Sequence, residues 1–201
     1  MADGETIAVY DEQAEEYSAA FMTQEPDAAL IRFMDHLPAG GAVLDFGCGP
    51  GEHAAAMKRA GFHVTATDAS ASMVDMARKH EGVVVRHATF EELDDVSVFD
   101  GVWANFSLLH ARREDFPAHL GRIKRSLKPC GHLHLGLKTG TGESRDRLGR
   151  RYTFFSEPEL RDRLAELGFD VVDVKHGEGT GLAGDVSAWV LVIARLGESR
   201  N

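Results

Sequence analysis

The chain has 201 residues, of which 43% are hydrophobic and 27% are charged, so its composition is that of a globular domain large enough to bury a core. Its 22 basic and 32 acidic residues give a formal net charge of −10, which opposes broad binding to nucleic acid or to an anionic membrane. Two cysteines, an acidic N-terminal stretch and short apolar runs argue against a disulfide framework, a signal peptide and a membrane span. We therefore predict one cytoplasmic domain over residues 1–201 that binds neither nucleic acid nor membrane.

The N-terminal section, residues 5–36, is acidic and helix-prone, and Pro26 interrupts it. It is too short to be a domain of its own. We predict that residues 1–38 form a helical cap over a pocket and that residues 39–201 form the core.

From residue 42 onwards, apolar runs of strand length alternate with segments of helical period. The predicted strands are residues 42–46, 63–67, 83–87, 100–104, 132–137, 171–175 and 188–194. The predicted helices are residues 52–59, 71–80, 115–127 and 157–167. This alternation predicts an α/β fold with a doubly wound, mostly parallel sheet and a final antiparallel strand pair.

Three connections complete the prediction. A turn is expected at residues 128–131, and a basic glycine-containing loop is expected at residues 139–151. Glycines at 177, 179, 181 and 184 predict a mobile connection between the last two strands.

The strongest local motif is the run Gly47-Cys48-Gly49-Pro50-Gly51, which joins a buried strand to a helix. Glycines let a ligand approach the backbone, and the helix N-terminus beyond offers unpaired amides. The spacing is G-x-G-x-G rather than the dinucleotide G-x-G-x-x-G, and Asp45 lies two residues before the first glycine. Neither feature suits a pyrophosphate.

Asp68 ends the second predicted strand, 21 residues beyond Gly47. In a doubly wound sheet this position opens on the same crevice as the glycine turn, where a carboxylate can accept both hydroxyls of a ribose. The alternative is structural, because Asp68 or Ser70 can cap the helix that begins near Ala71.

The chain resembles the class I S-adenosylmethionine-dependent methyltransferases, particularly the small type 11 enzymes, in six segments that occur in the family's order. The segments are VLDFGCGPG, TATDASASM, RHATFEEL, FDGVWANFSLLH, LKPCGHLHL and YTFFSEPELRDRLAELGFDVVDV. YDEQAEEY near the start is similar to the family's N-terminal lid. The resemblance implies a seven-stranded Rossmann-like sheet with an antiparallel last strand, S-adenosylmethionine as cofactor, and in-line methyl transfer to a small-molecule acceptor.

The resemblance also implies cofactor-binding roles for particular residues. Asp45, Gly47, Cys48 and Gly49 would lie along the methionine and ribose, Asp68 would hold the ribose, and Ala69 and Met73 would pack on the adenine faces. Ala88, Thr89 and Phe90 would lie along the adenine edge, and Ala104, Asn105 and Phe106 would line the methyl-transfer site. Tyr17, with Tyr10 as a second candidate, would close over the methionine. The chain departs from many relatives in having no aspartate between His87 and Phe90, which leaves the Thr89 hydroxyl as the acceptor for the adenine amino group.

His110 is the candidate catalytic base because it ends the segment ANFSLLH and because imidazole titrates near working pH. A base is needed only if the acceptor must lose a proton. The alternative is that His110 caps or packs beneath the following helix.

Two further groups have both a functional and a structural interpretation. Arginines 145, 147, 150 and 151 are expected at the rim of the site, where they would recognise a carboxylate or phosphate on an anionic acceptor, or else form a solvated loop with Glu143 and Asp146. His132 and His134 share one strand face but have no evident third ligand, so we predict packing and no metal.

Two other functions stay open from the sequence. A nicotinamide-dependent oxidoreductase has the same kind of sheet and crevice but needs room for a pyrophosphate. A regulatory protein that binds S-adenosylmethionine without turnover is compatible with every cofactor motif.

Overall fold

Nine strands are present in the computed structural model, which describes residues 2–21 and 26–198. They are β1 (Ala42–Phe46), β2 (His63–Asp68), β3 (Val84–His87), β4 (Phe99–Asn105), β5 (Leu127–Lys138), β6 (Glu143–Arg145), β7 (Arg151–Thr153), β8 (Phe169–Thr180) and β9 (Val186–Leu196). Seven of them form one sheet in the order β3-β2-β1-β4-β5-β9-β8, and β6 and β7 form a separate hairpin. Strands β1 to β5 are parallel, whereas β9 is antiparallel to both of its neighbours. This confirms the predicted doubly wound sheet and its reversed last strand.

Seven helices accompany the sheet in the described residues. They are α1 (Gly4–Glu12), α2 (Ala14–Phe21), α3 (Ala28–Asp35), α4 (Glu52–Arg59), α5 (Ala71–Ala77), α6 (Phe116–Ser126) and α7 (Glu157–Glu166). None of these helices is long and apolar enough to cross a membrane.

The core lies in two layers because successive strand side chains point to opposite faces of the sheet. Val102 and Ala104 of β4 belong to a buried cluster that includes α6 and α7, whereas Trp103 between them belongs to a cluster that includes α3 and α4. The near-continuous apolar strands are thus covered on both faces.

The strand order reverses between β1 and β4, which is where a doubly wound sheet opens a crevice. The amides of Gly47 and Cys48 both donate to the carbonyl of Thr67, at 2.8 and 2.9 Å. These bonds hold the turn after β1 against the end of β2.

Helix α1 lies across this end of the sheet. Asp11 accepts hydrogen bonds from the Ser70 hydroxyl at 2.6 Å and from the Ser72 amide at 3.0 Å, both at the start of α5. On the other side, the Thr6 hydroxyl accepts from the Arg151 amide in β7 at 2.8 Å. The predicted cap is helical over its described part, and its residues 1 and 22–25 lie outside the described residues.

Most of residues 139–151 lie outside strands, as predicted, but residues 143–145 and 151 belong to β6 and β7, which pair as a hairpin. The Asp146 carboxylate accepts from the amides of Leu148 and Arg150 and so closes the turn. Arg150 also makes a buried ion pair with Asp146 at 2.7 Å. The stretch is ordered by contacts of its charged side chains, which composition alone does not reveal.

The glycine-containing connection between the last two strands is shorter than predicted, since β8 runs to Thr180 and β9 starts at Val186. A Cβ atom on Gly177 would lie 2.2 Å from the Trp189 ring. This glycine therefore makes room for a cross-strand indole inside the sheet.

Two predicted boundaries also differ. Helix α5 ends at Ala77 rather than at residue 80, and the His80 imidazole contacts the Pro50 carbonyl at 3.0 Å. The turn expected at residues 128–131 lies inside β5, where Cys130 has a positive φ of 63° and the pairing with β4 shifts register.

Candidate functional site

A cavity lies at the carboxyl ends of β1, β2 and β4, beneath α1. It is partly open to solvent. Twelve of the fifteen predicted site residues line it: Tyr17, Asp45, Gly47, Cys48, Gly49, Asp68, Ala69, Met73, Phe90, Asn105, Phe106 and His110. The topology therefore brings together residues that are far apart in the chain.

Three predicted residues do not contribute to the described cavity wall. Ala104 is fully buried in the core. The Ala88 amide donates to the carbonyl of Asp68, and the Thr89 hydroxyl donates to the Glu92 carboxylate at 2.9 Å. The Thr89 hydroxyl is thus engaged within its own capping box.

The glycine turn presents backbone to the cavity. Gly47 has a φ of +79°, and a Cβ atom on it would lie 2.3 Å from Cβ of Ser107 in the loop after β4. Gly49 has a φ of +54° and lies opposite the ring of Tyr17. Only glycine combines this conformation with so close an approach. Burial raises the pKa of the Cys48 thiol within the turn, so the thiol stays uncharged.

Asp68 is held by two backbone amides, one from each side of the crevice. Its Oδ2 accepts from Gly49 N at 2.8 Å, and its Oδ1 accepts from Ser70 N at 2.9 Å. Burial raises the pKa of Asp68. The helix cap is Ser70, whose hydroxyl accepts from the Met73 amide at 3.2 Å, so Asp68 itself is not the N-cap of α5.

The carboxylate of Asp45 lies on the cavity wall, and one of its oxygens has no hydrogen-bond donor among the described residues. The residue is 2% exposed, and the oxygen in question is Oδ2. Burial raises the pKa of Asp45 to about 7. A buried carboxylate oxygen without a donor favours a cationic ligand group in the cavity.

His110 lies in a short 3₁₀ helix, Leu108–His110, at the cavity wall. Its Nδ1 lies 2.6 Å from the Arg151 carbonyl, which can only accept, so Nδ1 carries the proton. Its Nε2, 2.8 Å from the Tyr10 hydroxyl, then accepts from that hydroxyl. The Tyr10 oxygen in turn accepts from Arg150 at 3.0 Å. Burial lowers the pKa of His110 to about 4, so the imidazole is neutral at working pH.

The arginines of residues 145–151 are committed to partners within the chain. Arg145 pairs with Asp3 at 2.8 Å, Arg147 donates to the Ala183 carbonyl, and the guanidinium of Arg150 is buried between Asp146 and Tyr10. Three of these four side chains thus hold α1 and the strand connections in place.

The histidines of β5 pack against aromatic rings. His134 stacks on Trp103 with 3.8 Å between centroids, and His132 stacks on His36 at 5.2 Å. His134 Nε2 also contacts Asn105 Oδ1 at 3.1 Å, which holds that cavity residue from behind.

Comparison with known proteins finds similarity to methyltransferases. Residues 43–131 match the model of a methyltransferase domain. The chain is 37% identical over 136 residues to a cypemycin N-terminal methyltransferase from a Streptomyces species, covering 64% of this chain and 56% of that protein. It is 38% identical over 105 residues to a ubiquinone biosynthesis O-methyltransferase from Xanthomonas axonopodis pv. citri, covering 49% of this chain and 43% of that protein.

Among solved structures, the Burkholderia thailandensis 1,6-didemethyltoxoflavin-N1-methyltransferase superposes with a TM-score of 0.75 and 26% sequence identity. The match covers 98% of this chain and 92% of that chain, whose structure contains bound S-adenosylhomocysteine. The chain is thus similar to class I S-adenosylmethionine-dependent methyltransferases, in fold over most of its length and in sequence over its middle segment. It spans about half the length of the curated relatives it matches.

The residues that line the cavity fit S-adenosylmethionine, the cofactor of the methyltransferases that the chain resembles. The unmatched Asp45 oxygen suits the ammonium group of the methionine part, and the Asp68 carboxylate retains lone pairs for the ribose hydroxyls. Met73 is 2% exposed and contributes an apolar surface for the base.

Sequence reasoning missed several residues that line the cavity. They include Thr6, Ile7, His53, Trp103, Ser107 and His119. Thr6 and Ile7 reach the cavity only because α1 folds over the sheet, and His119 reaches it from the inner face of α6. His53 follows the last glycine of the turn by two residues, and this position is a local signal in the sequence.

Proposed function

We propose that this chain transfers the methyl group of S-adenosylmethionine to a small-molecule nucleophile by in-line displacement. The observation that supports this most directly is the crevice in which Asp68 and Asp45 lie on either side of the Gly47–Gly49 turn. A phosphate-bearing dinucleotide does not suit this crevice, because two buried carboxylates face it.

The proposed cofactor contacts follow from the geometry. Asp68 would accept hydrogen bonds from the ribose hydroxyls, and Asp45 would face the ammonium group. The glycine turn would contact the part of the cofactor between these two groups. Ala69, Met73 and Phe90 would surround the adenine. When bound, the cofactor supplies an electrophilic methyl group on a sulfonium.

The chain's own contribution to transfer is orientation and exclusion of water. Helix α1 lies over the cavity with Thr6, Ile7 and Tyr10 on its wall. We infer that residues 1–38 act as a cap that must move for the acceptor to enter, because α1 is tied to α5 on one side and to β7 on the other.

For an acceptor that loses a proton, the geometry supports a path through Tyr10 to His110. The Tyr10 oxygen would receive the proton while its own proton passes to Nε2 of His110. Since the pKa of His110 is lowered to about 4, this is a weak base. We therefore propose an acceptor that can attack before it loses a proton, such as a neutral amine nitrogen.

We also propose that the acceptor carries an anionic group. Arg112 lines both the cavity and an adjoining open groove. That groove is lined by four arginines and two glutamates: Arg112, Arg113, Arg151, Arg163, Glu114 and Glu143. Each of these arginines pairs with a glutamate of the chain, but the pairs are partly exposed and therefore weak. A carboxylate or phosphate of the acceptor could therefore compete for them. This replaces the loop arginines 145, 147 and 150 as the proposed recognition site.

The proposal is tested in two stages. Calorimetry should show that S-adenosylhomocysteine binds and that NAD does not; the reverse result would favour an oxidoreductase and reject the proposal. Single-turnover assays with labelled S-adenosylmethionine and pools of small amines should then yield methylated product. Tight cofactor binding with no product from any pool would favour a regulatory protein. Cytoplasmic location is proposed on the same footing and is tested by fractionating cells that express the chain.

A further inference from the structure

A second group of polar side chains lies beside the cofactor residues, on the wall formed by α6 and the short 3₁₀ helix Phe90–Glu92. Glu91, Asp115 and His119 each bring one potential ligand atom within 4.8 Å of the others. Asp115 and His119 are four residues apart, and His119 N donates to Asp115 O at 3.1 Å, so one helical turn places both side chains on the same face.

His119 is the buried member of this group. It is 3% exposed, and it lies on the wall of the cavity. Its Nε2 faces the Glu91 carboxylate at 4.0 Å, and its Nδ1 has no hydrogen-bond partner among the described residues. Its ring makes an edge contact with Phe90, with 5.6 Å between the ring centroids. A buried imidazole of this kind is costly unless a ligand uses it.

We propose that Glu91, Asp115 and His119 bind a divalent transition-metal ion, with Mn²⁺ and Zn²⁺ as the leading candidates. One imidazole and two carboxylates are donors that these ions accept, and two carboxylates balance a charge of 2+. Donors that share such an ion at about 2.0–2.2 Å lie roughly 3–4 Å apart. Side-chain rotations that draw the present atoms together by about 1 Å would complete the set.

The position of the site indicates what else the ion would hold. Glu91 and His119 line the same cavity as Asp45 and Asp68, so open coordination positions face the space above the glycine turn. An oxygen anion on a small molecule, such as a carboxylate or a phenolate, is the class of ligand that would complete the coordination. Metal binding itself does not depend on methyl transfer.

The test uses the full chain after removal of adventitious metal. Titration with MnCl₂, with free Mn²⁺ followed by electron paramagnetic resonance, should show one ion bound per chain. The variants Glu91→Gln and His119→Gln should each weaken binding at least tenfold. His176→Gln is the matched control, because His176 contacts the Glu157 carboxylate at 2.7 Å on the surface and should bind Mn²⁺ as the wild type does.

Two results would overturn the proposal. One is a wild-type chain that binds neither Mn²⁺ nor Zn²⁺ at millimolar concentration. The other is a Glu91→Gln chain that binds as tightly as the wild type. Circular dichroism of each variant shows whether it is folded. If His119→Gln unfolds, Mn²⁺ binding by Glu91→Gln still decides the question, because Glu91 is only half-buried. Asp115→Asn then serves as the second variant.

Discussion

The carboxylate of Asp68 accepts a hydrogen bond from the backbone amide of Gly49, with 2.8 Å between Oδ2 and N. This bond joins the end of β2 to the turn after β1, so the shape of the turn and the position of the carboxylate are set together. A ligand that contacts both is therefore bound to a preformed surface.

Asp68→Ala should weaken binding of both S-adenosylmethionine and S-adenosylhomocysteine at least tenfold. The variant loses hydrogen bonds to a charged acceptor, each of which contributes about 1.5–3 kcal/mol, and it also frees the Gly49 amide. Calorimetry measures the change. Asp75→Ala, at an exposed position of α5, is the matched control and should bind normally. Equal affinities in the two variants would remove Asp68 from the site.

Cofactor affinity should rise as pH increases through about 7, because the raised pKa of Asp45 keeps that carboxyl neutral below this value. Only the ionised form attracts an ammonium group, so binding should release a proton. Titrations at several pH values in buffers of different ionisation enthalpy measure both effects. In Asp45→Asn the affinity should be low and the dependence near pH 7 should be absent.

The same substitution should stabilise the ligand-free protein at alkaline pH. When the pKa of a carboxyl rises on folding, the free energy of unfolding falls as pH rises between the two pKa values. For Asp45, a rise from 3.8 to about 7 lowers that free energy by something on the order of 4 kcal/mol once the carboxyl is ionised. The unfolding temperature of Asp45→Asn should therefore be higher than that of the wild type at pH above about 7, and the two should be equal in acid. Lower stability at alkaline pH would contradict the burial argument.

Tyr10→Phe should reduce methyl transfer more than cofactor binding. The variant removes the hydroxyl between His110 and Arg150 but keeps the ring on the cavity wall. With an acceptor that must lose a proton, we expect kcat to fall at least tenfold, whereas kcat with an amine and the affinity for S-adenosylhomocysteine should change less than threefold. Tyr152→Phe is the control, because Tyr152 packs on His110 at 5.0 Å through its ring. A normal kcat in Tyr10→Phe with an acceptor that must lose a proton would exclude the proton path.

Arg145→Ala should loosen the cap. Arg145 donates to both oxygens of Asp3, at 2.8 and 2.9 Å, and its guanidinium holds the pKa of Asp3 well below the usual range. Because the pair is partly exposed, global stability should fall by no more than about 1 kcal/mol. The dissociation rate of S-adenosylhomocysteine, measured by stopped flow, should rise several-fold. Arg161→Ala breaks an exposed pair with Glu157 far from α1 and should leave that rate unchanged.

Gly177→Ala should destabilise the fold by about 1–3 kcal/mol, because its new methyl would lie 2.2 Å from the Trp189 ring. Gly179→Ala, two residues along β8, meets the same indole at 3.4 Å and should cost much less. Urea denaturation of the two variants compares them directly. Similar midpoints would mean that the indole moves aside without penalty.

The sequence by itself determined the sheet and the position of the crevice. Each strand from β1 to β5 is followed by a turn or a helix signal, and parallel strands joined by crossovers bring the ends of β1 and β2 to one edge. The glycine turn and Asp68 could therefore be placed together from spacing alone, and twelve of the predicted site residues do line one cavity.

Only the tertiary structure decided what covers that cavity and what lies behind it. The pairing of Arg145 with Asp3 spans 142 residues, and the contact of Tyr10 with His110 spans 100. Neither has a local periodicity. The first depends on how the start of α1 meets the β6–β7 hairpin, and the second on how α1 meets the 3₁₀ helix Leu108–His110. The hairpin at β6 and β7, the space that Gly177 leaves for Trp189 and the approach of His119 to Glu91 arise in the same way, because side-chain packing between distant segments fixes them and the order of residues along one segment does not.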